Sequence, residues 1–243
     1  MQTIIESDYE ALSERASEWI AKCVSDKPDA VLCLAAGATP VGAFRKLVSM
    51  AREGKVDLSK CRFVGLDEWA GLGREDEGSC KRLLYEEIFE PLQIPEDQLY
   101  MFDACSEDLA GQCQAMNRRI ETLGGIDFML VGAGMNGHIG FNEPGTSFDT
   151  YAHVANLDEV TQQVGQKYFT KPMRLRTGVT LGLRHLAESR SVVLMVSGSH
   201  KADIVERIVN EGISEQLPAS LVRKHPNGCL LLDSEAAVKA RKD

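Results

Sequence analysis

Four side chains in this sequence have the chemistry to move protons: Asp67, Glu68, His138 and Glu143. Asp67 ends a run, 62–67, that is typical of a buried strand, and Glu68 follows it directly. A carboxylate at a strand's carboxyl end suits proton abstraction when it faces a cleft. His138 and Glu143 lie five residues apart in a glycine-rich loop, where a carboxylate can fix the imidazole tautomer and raise its basicity. The plainer alternatives are a turn cap for Asp67 and a loop salt bridge for Glu143.

A second group of residues suits an anion. Residues 36–40, Ala-Gly-Ala-Thr-Pro, follow a predicted strand and lead into a helix, so small residues let backbone N–H groups approach a ligand at the positive end of the helix dipole. The loop lacks the Gly-Lys-[Ser/Thr] ending of a Walker loop. Lys201 lies in the first turn of another predicted helix, where a cation opposes the dipole at a cost of about 0.3–1 kcal/mol. An anion between the two helices would reverse that cost; the alternatives are an ordinary turn and a solvated lysine.

Gly132, Gly134 and Gly137 match the GxGxxG fingerprint of dinucleotide-binding domains. That fingerprint requires a helix to open at the third glycine, and the following residues 138–145, HIGFNEPG, carry two glycines and a proline. We therefore exclude an NAD site and interpret these glycines as a tight loop that holds polar side chains.

The elements that must position these residues alternate between short apolar runs and amphipathic stretches. Strands are predicted at 30–35, 62–67, 99–102, 127–131, 191–196 and 228–232, and helices after a capping box at 7–10, from Pro40, at 79–89, from Ser106, at 201–209 and at the C-terminus. Strands that are apolar throughout and alternate with helices are typical of a mostly parallel sheet with helices on both faces. We predict one α/β domain over 1–243, a modified Rossmann-like fold, with a lid-like segment around 150–176. The carboxyl ends of parallel strands share one edge, where the loops after residues 35, 66, 131 and 196 would meet.

Composition narrows the class of partner. The 243 residues include 36 acidic and 27 basic ones, a net charge of −9, which argues against nonspecific nucleic-acid binding and against an anionic membrane surface. A small anionic substrate remains compatible with basic groups that are concentrated locally. No apolar run reaches a membrane span of about 18–20 residues, and the first residues do not resemble a signal peptide. Seven scattered cysteines without a CxxC pair, and no second histidine at ligand spacing from Asp67 and Glu68, lead us to expect a reduced cytoplasmic chain without a metal.

Four segments together resemble the glucosamine-6-phosphate deaminase (isomerase) family. They are residues 34–40 (LAAGATP), 67–72 (DEWAGL), 136–144 (NGHIGFNEP) and 198–202 (GSHKA). The resemblance covers essentially the whole chain, and the GHIGFNEP segment is highly specific. Residues 11–18 and 27–30 are most similar to the branch of galactosamine-6-phosphate isomerases.

The resemblance implies an enzyme that opens a cyclic amino-sugar phosphate, isomerises the aldose to a ketose and releases ammonia, with no metal or organic cofactor. By matching position, Asp67 would move a proton between C2 and C1. His138, oriented by Glu143, would exchange a proton with the ring oxygen. The implied phosphate ligands come from three segments: Gly37, Ala38, Thr39, Lys167 and Lys201.

Several positions depart from the family pattern. Asn136 stands where many members carry an acidic residue, which limits the proton relay to the histidine–glutamate pair. Ala36 occupies a position where a hydroxyl residue is frequent, and Ala38 one where glycine is usual, at the expense of one phosphate hydrogen bond. Lys167 takes the place of a phosphate-binding arginine and offers a point charge in place of a bidentate fork.

Two other functions are compatible with part of the sequence, and the sugar epimer and the oligomeric state are left open. A 6-phosphogluconolactonase would share the Asp67-Glu68 and Gly137-His138 pairs, but lactonases follow the histidine with a different, apolar segment. A noncatalytic sugar-phosphate sensor would explain Asn136 and the altered loop, although a binder needs no C2 base. The sequence does not fix the C4 configuration of the sugar, and the resemblance leaves the oligomeric state open, a homo-oligomer included.

Overall fold

The apolar runs predicted as buried strands form a parallel sheet. The computed structural model describes residues 2–240, and its ten strands are β1 (Gln2–Glu6), β2 (Val31–Leu34), β3 (Arg62–Gly65), β4 (Asp67–Trp69), β5 (Leu99–Tyr100), β6 (Phe128–Val131), β7 (His153–Asn156), β8 (Thr177–Thr180), β9 (Val192–Val196) and β10 (Gly228–Asp233). Seven of them form one parallel sheet in the order β1-β10-β9-β6-β2-β3-β5. The predicted mostly parallel α/β fold is confirmed.

A second, three-stranded antiparallel sheet follows the order β4-β8-β7. It corrects the predicted strand 62–67, because the chain leaves the main sheet after Gly65 and Asp67 pairs with Thr180 of β8. The segment 150–176, predicted as lid-like, contains β7 of this sheet, followed by a short helix and a loop. This small sheet carries Asp67 away from the main sheet plane and towards the segment around residue 160.

The helices are α1 (Tyr9–Asp26), α2 (Val41–Arg52), α3 (Cys80–Leu84), α4 (Leu109–Thr122), α5 (Glu159–Gly165), α6 (Leu183–Glu188) and α7 (Ala202–Asn210). A π-helical turn, Tyr85–Phe89, continues α3, and 3₁₀ turns occupy Glu96–Gln98, Gln166–Tyr168, Ser199–Lys201 and Pro218–Lys224. None of the helices between residues 2 and 240 combines the length and the apolar character that a membrane crossing requires.

The cap of the first helix and the predicted C-terminal helix differ in the structure. Asp8, and not Ser7 of the predicted capping box, caps α1, because its side chain accepts a hydrogen bond of 2.9 Å from the Ala11 N–H. The predicted C-terminal helix is a series of hydrogen-bonded turns over 234–240. Its first turn is fixed by Asp233, whose side chain accepts from the Ala236 N–H at 2.8 Å.

The sheet is covered on both faces, as its alternating side chains require. Successive residues of β2 enter opposite cores: Val31 and Cys33 belong to one, Leu32 and Leu34 to the other. Helices α4, α6 and α7 pack on the first face, and α1, α2 and the π-helical turn pack on the second. A smaller cluster around Trp69 lies beneath the segment that contains α5. Both faces are buried, so the carboxyl edge of the strands is the part of the sheet that can receive a ligand.

Candidate active site

A cavity of ≈ 430 Å³ lies at the carboxyl edge of the main sheet. Its wall is built from the loops after β2, β3, β6 and β9, as the parallel topology predicts, together with residues of α5 and of the 3₁₀ turn at 166–168. Seven of the nine residues that the family resemblance places in the site line it: Gly37, Ala38, Thr39, Asp67, His138, Lys167 and Lys201. The other two, Asn136 and Glu143, do not line the cavity but contact His138.

Asp67 opens β4 and faces the cavity. Its Oδ1 atom is buried without a hydrogen-bond partner among the described residues. Gly140 lies across from it and leaves room for Thr180, the β8 residue that pairs with Asp67, since a Cβ on Gly140 would lie 2.7 Å from Thr180 Oγ1. Burial and, secondarily, the charge of neighbouring Glu68 raise the pKa of Asp67 to about 7. A carboxyl with this pKa can both accept and return a proton near neutral pH.

Glu68 points away from the cavity and serves the fold. It is buried, and its carboxylate accepts four hydrogen bonds. Three come from the start of α3, from Ser79 Oγ at 2.7 Å and from the N–H groups of Cys80 at 3.0 Å and Lys81 at 2.8 Å, and the fourth comes from the Trp69 N–H at 2.9 Å. These bonds fix the direction of β4 and therefore the position of Asp67. Between residues 2 and 240, no three His, Cys, Asp or Glu side chains are grouped in a way that could hold a metal ion.

His138, in the loop after β6, is held by three side chains, two from the same loop and one from α5. Its Nδ1 atom lies 3.2 Å from Glu143 Oε2 and 3.0 Å from Thr161 Oγ1 of α5, and its backbone N–H donates to Asn136 Oδ1 at 3.2 Å. Asn136 Nδ2 also donates to Glu143 Oε2 at 2.8 Å. With these contacts on Nδ1, the opposite ring nitrogen lies over Gly134, where a Cβ would come within 2.3 Å of it. The loop thus orients the imidazole through its backbone, an amide and a carboxylate.

Glu143 keeps a negative charge in this environment. Its side chain is largely buried, which by itself raises the pKa, but hydrogen bonds and the charge of His138 outweigh this effect and lower the pKa overall. The N–H of Asp158, the N-cap residue of α5, donates to Glu143 Oε1 at 3.2 Å. A charged Glu143 favours the tautomer with the proton on the facing His138 nitrogen.

The loop after β2 forms the opposite part of the wall, and Tyr9 of α1 holds it in place. The Tyr9 hydroxyl donates to Thr39 O at 3.0 Å and accepts from the Gly42 N–H at 2.9 Å. Pro40, predicted as the first residue of this helix, is the N-cap of α2, so the helix starts one residue later, and Pro40 itself offers no side-chain cap. The first turn of α2 therefore adds its dipole to the cavity wall.

The two lysines predicted to bind an anion lie near one another. Lys201, at the start of α7, donates to Ala133 O at 2.7 Å and does not extend into solvent. Desolvation and, secondarily, the charge of Lys167 lower the pKa of Lys201 to about 8. Two ammonium groups that repel one another are a favourable setting for a bound anion, which would relieve the repulsion.

Three residues of the site were missed by sequence reasoning: Tyr9, Thr161 and Tyr168. Tyr9 belongs to the first helix, and no local pattern links it to a loop 30 residues later. Thr161 and Tyr168 lie in the segment 158–176, which shows no periodicity in the sequence. Only the side-chain type could have indicated them: each carries a hydroxyl group, and Thr161 and Tyr168 lie in the segment predicted to cover the site.

Comparisons with known proteins agree with this picture. Residues 6–231 match the family model described as glucosamine-6-phosphate isomerases/6-phosphogluconolactonase. A glucosamine-6-phosphate deaminase from Bacillus velezensis is 39% identical over 238 residues, 98% of this chain and 99% of the relative. One from Clostridium botulinum is 34% identical over 240 residues, 98% of either chain.

Solved structures give the same result for the fold. A monomeric glucosamine-6-phosphate deaminase superposes with a TM-score of 0.95 at 34% identity, over 98% of this chain and 100% of the other. A 6-phosphogluconolactonase from Trypanosoma brucei superposes with a TM-score of 0.78 at 19% identity, over 99% and 98% of the two chains, which is a likeness of fold.

Proposed function

The chain belongs to the glucosamine-6-phosphate isomerase/6-phosphogluconolactonase family, and from this premise we propose that it is an amino-sugar-6-phosphate deaminase that acts on glucosamine 6-phosphate. The observation that carries the proposal is the cavity itself. It combines a carboxyl whose pKa lies near neutrality, an imidazole oriented by a carboxylate, and two ammonium groups. A lactone hydrolase has no need of a base that moves a proton between two carbons.

Ring opening is the first step, and we assign it to His138. The hydroxyl on C1 must lose a proton while the ring oxygen gains one, and an imidazole can do both through one nitrogen. Glu143 holds the proton on the facing nitrogen, so the nitrogen over Gly134 is the one that exchanges with the sugar. Asn136 completes the pair by donating to the same carboxylate oxygen.

Isomerisation is the second step, and we assign it to Asp67. The carboxylate takes the proton from C2 of the open chain and returns it to C1, while the C1 oxygen gains the proton that the amino nitrogen loses. Together the two transfers convert the amino aldose into a ketimine with a hydroxymethyl group at C1. Water then adds at C2 and ammonia leaves, so the product is the ketose 6-phosphate. The buried Oδ1 of Asp67, which has no partner within residues 2–240, is the oxygen we assign to the C2 proton.

Phosphate binding anchors the substrate for both steps. We assign the phosphate to the N–H groups of Gly37, Ala38 and Thr39 in the loop that leads into α2 and to the ammonium groups of Lys167 and Lys201. The same contacts would serve any sugar 6-phosphate. Phosphate binding alone therefore does not distinguish an amino sugar from other sugar 6-phosphates.

The sugar epimer is the finer question. The curated relatives reported above are glucosamine-6-phosphate deaminases, which supports the gluco configuration. The similarity of residues 11–18 and 27–30 to the galactosamine branch favours the C4 epimer as a second candidate. Both sugars have the same C1–C2 chemistry, so the mechanism above applies to either.

The test is a side-by-side measurement of ammonia release from glucosamine 6-phosphate and galactosamine 6-phosphate. The proposal expects turnover of the gluco epimer, with the ketose 6-phosphate formed in equal amount. Turnover of the galacto epimer alone would change the assignment of substrate and keep the reaction. Hydrolysis of 6-phosphogluconolactone without ammonia release from either sugar would overturn the proposal, and so would inactivity on all three compounds.

A further inference from the structure

Tyr168 is a polar residue of the cavity wall without a part in the reaction above. It ends the 3₁₀ turn Gln166–Tyr168, and its side chain is half-buried. The hydroxyl oxygen lies 3.7 Å from the position that a Cβ on Gly37 would take. The phenol therefore reaches across the cavity from the segment after α5 to the loop after β2.

The hydroxyl lies among the groups assigned to the phosphate. Lys167 Nζ is 4.9 Å from the centre of the Tyr168 ring, and the same ammonium is near enough to Lys201 to lower the pKa of that side chain. The backbone of Ala38, one of the assigned phosphate ligands, also lies near enough to the Tyr168 hydroxyl to act on its pKa, in the direction that lowers it. A donor at this place faces the same anion as the two lysines and the loop.

The loop itself is poor in hydroxyl groups. Among residues 35–40, Ala-Ala-Gly-Ala-Thr-Pro, Thr39 alone carries one. The hydroxyl of the other tyrosine near the loop, Tyr9, already donates to Thr39 O and accepts from the Gly42 N–H. Burial raises the pKa of Tyr168, which keeps the phenol protonated and able to donate near neutral pH.

Packing of the next residue fixes where Tyr168 lies. The Phe169 ring is 6.4 Å from the Trp69 ring in an edge-on arrangement, and it fills the space that a Cβ on Gly78 would occupy at 2.5 Å. Trp69 belongs to β4, two residues after Asp67. These two contacts of Phe169 hold the chain next to Tyr168 against the element that carries Asp67.

We propose that the Tyr168 hydroxyl donates a hydrogen bond to the substrate's phosphate and takes the place of a hydroxyl that the loop at 36–39 lacks. The inference rests on the proposed function, because it names a further ligand of the same anion. A hydrogen bond to a charged group changes affinity by about tenfold or more when it is removed. The effect falls on binding, since the phosphate does not change in the reaction.

The test compares Tyr168→Phe with Tyr151→Phe. The first change removes the hydroxyl and keeps the ring; the second removes an exposed hydroxyl that bonds to Glu188 at 3.1 Å. With glucosamine 6-phosphate, we expect Tyr168→Phe to raise KM about tenfold, to leave kcat within about twofold, and to weaken competitive inhibition by inorganic phosphate by the same factor as KM. Tyr151→Phe should match the wild type in all three. An unchanged KM and phosphate inhibition, or a loss confined to kcat, would overturn the inference.

A calorimetric titration with inorganic phosphate separates this inference from the proposed function. If the wild-type protein binds phosphate and releases no ammonia from either sugar, the proposed function fails while the inference is still decided by the titration. Phosphate affinity about tenfold weaker in Tyr168→Phe than in Tyr151→Phe supports the inference. Equal affinity in the two variants, or no phosphate binding by the wild type, overturns it.

Discussion

Replacing Asp67 by asparagine should stabilise the protein above neutral pH while it removes the proposed base. The amide has nearly the shape of the carboxyl but carries no charge, so it is not subject to the desolvation that raises the pKa of Asp67 to about 7. A carboxyl with an ordinary pKa of 3.8 that is raised to this value corresponds to about 4 kcal/mol of native-state destabilisation. Because Asp67 is incompletely buried and faces a cavity, we expect about 1–3 kcal/mol of that amount to be regained.

The sign of the pH dependence follows from proton binding. Between about pH 4 and pH 7 the native state holds a proton on Asp67 that the unfolded state has lost, so the stability of the wild type falls as pH rises through this range. The asparagine variant has no such titration. Its advantage in the free energy of unfolding should be smallest near pH 4, grow up to about pH 7 and stay constant above.

Urea unfolding of the wild type and the variant, at pH values from about 4.5 to 8.5, measures this difference. Asp97→Asn is the matched control, because Asp97 is exposed on the 3₁₀ turn Glu96–Gln98, away from the cavity. The amide of the variant can itself lack a partner, but that cost is independent of pH. A difference between the wild type and Asp67→Asn that does not change across this range would refute the reasoning.

Three further outcomes follow from the contacts. Glu143→Gln removes the charge that faces His138, so kcat for ammonia release should fall about 100-fold with little change in KM, as steady-state kinetics would show; an unchanged kcat would remove Glu143 from the proton relay. Lys201→Met should raise the inhibition constant of inorganic phosphate about tenfold or more. In the wild type, phosphate inhibition should weaken above about pH 8, because the Lys201 ammonium then loses its proton. A wild-type inhibition constant that does not change with pH would contradict the assignment of Lys201 to the phosphate. Asp127→Asn should lower the free energy of unfolding by about 2 kcal/mol without affecting KM, because Asp127 is buried at the opposite end of β6 and bonds to Lys27 at 2.7 Å; urea unfolding and kinetics together check this.

The strands of the main sheet could be predicted because a strand buried on both faces is apolar throughout, a local property of the chain. The position of the cavity followed from the same property, since parallel strands bring their carboxyl ends to one edge. The strand β1 was missed because Gln2–Glu6 lies at the edge of the sheet and is largely exposed, without the apolar character of the inner strands.

The small antiparallel sheet could not be predicted from local patterns. Its strand β7 has one buried residue in four, and β4 is three residues long and continues an apolar run that belongs to the main sheet. The break at Leu66 depends on Thr180, more than a hundred residues later, which pairs with Asp67. Such a pairing depends on tertiary packing, so local sequence patterns could not predict the direction of the Asp67 side chain.

The roles of the polar residues divide in the same way. Asp67 and Glu68 are adjacent in the sequence and equally suited to proton chemistry, but the first faces the cavity and the second bonds to the start of α3. The contact between His138 and Glu143 was expected from their spacing, whereas Thr161 reaches the same imidazole nitrogen from a distant helix. Spacing within one loop is readable, and contact between separate elements is not.

The central claim is that Asp67 moves the proton from C2 to C1, and ammonia release as a function of pH tests it most directly. We expect kcat/KM of the wild type and of Asp97→Asn to fall about tenfold per pH unit below about pH 7, as the Asp67 carboxyl becomes protonated. Asp67→Asn should lose at least about 100-fold in kcat at every pH while its inhibition by inorganic phosphate stays unchanged. A variant that keeps more than about a tenth of wild-type kcat, with the same pH profile, would contradict the account.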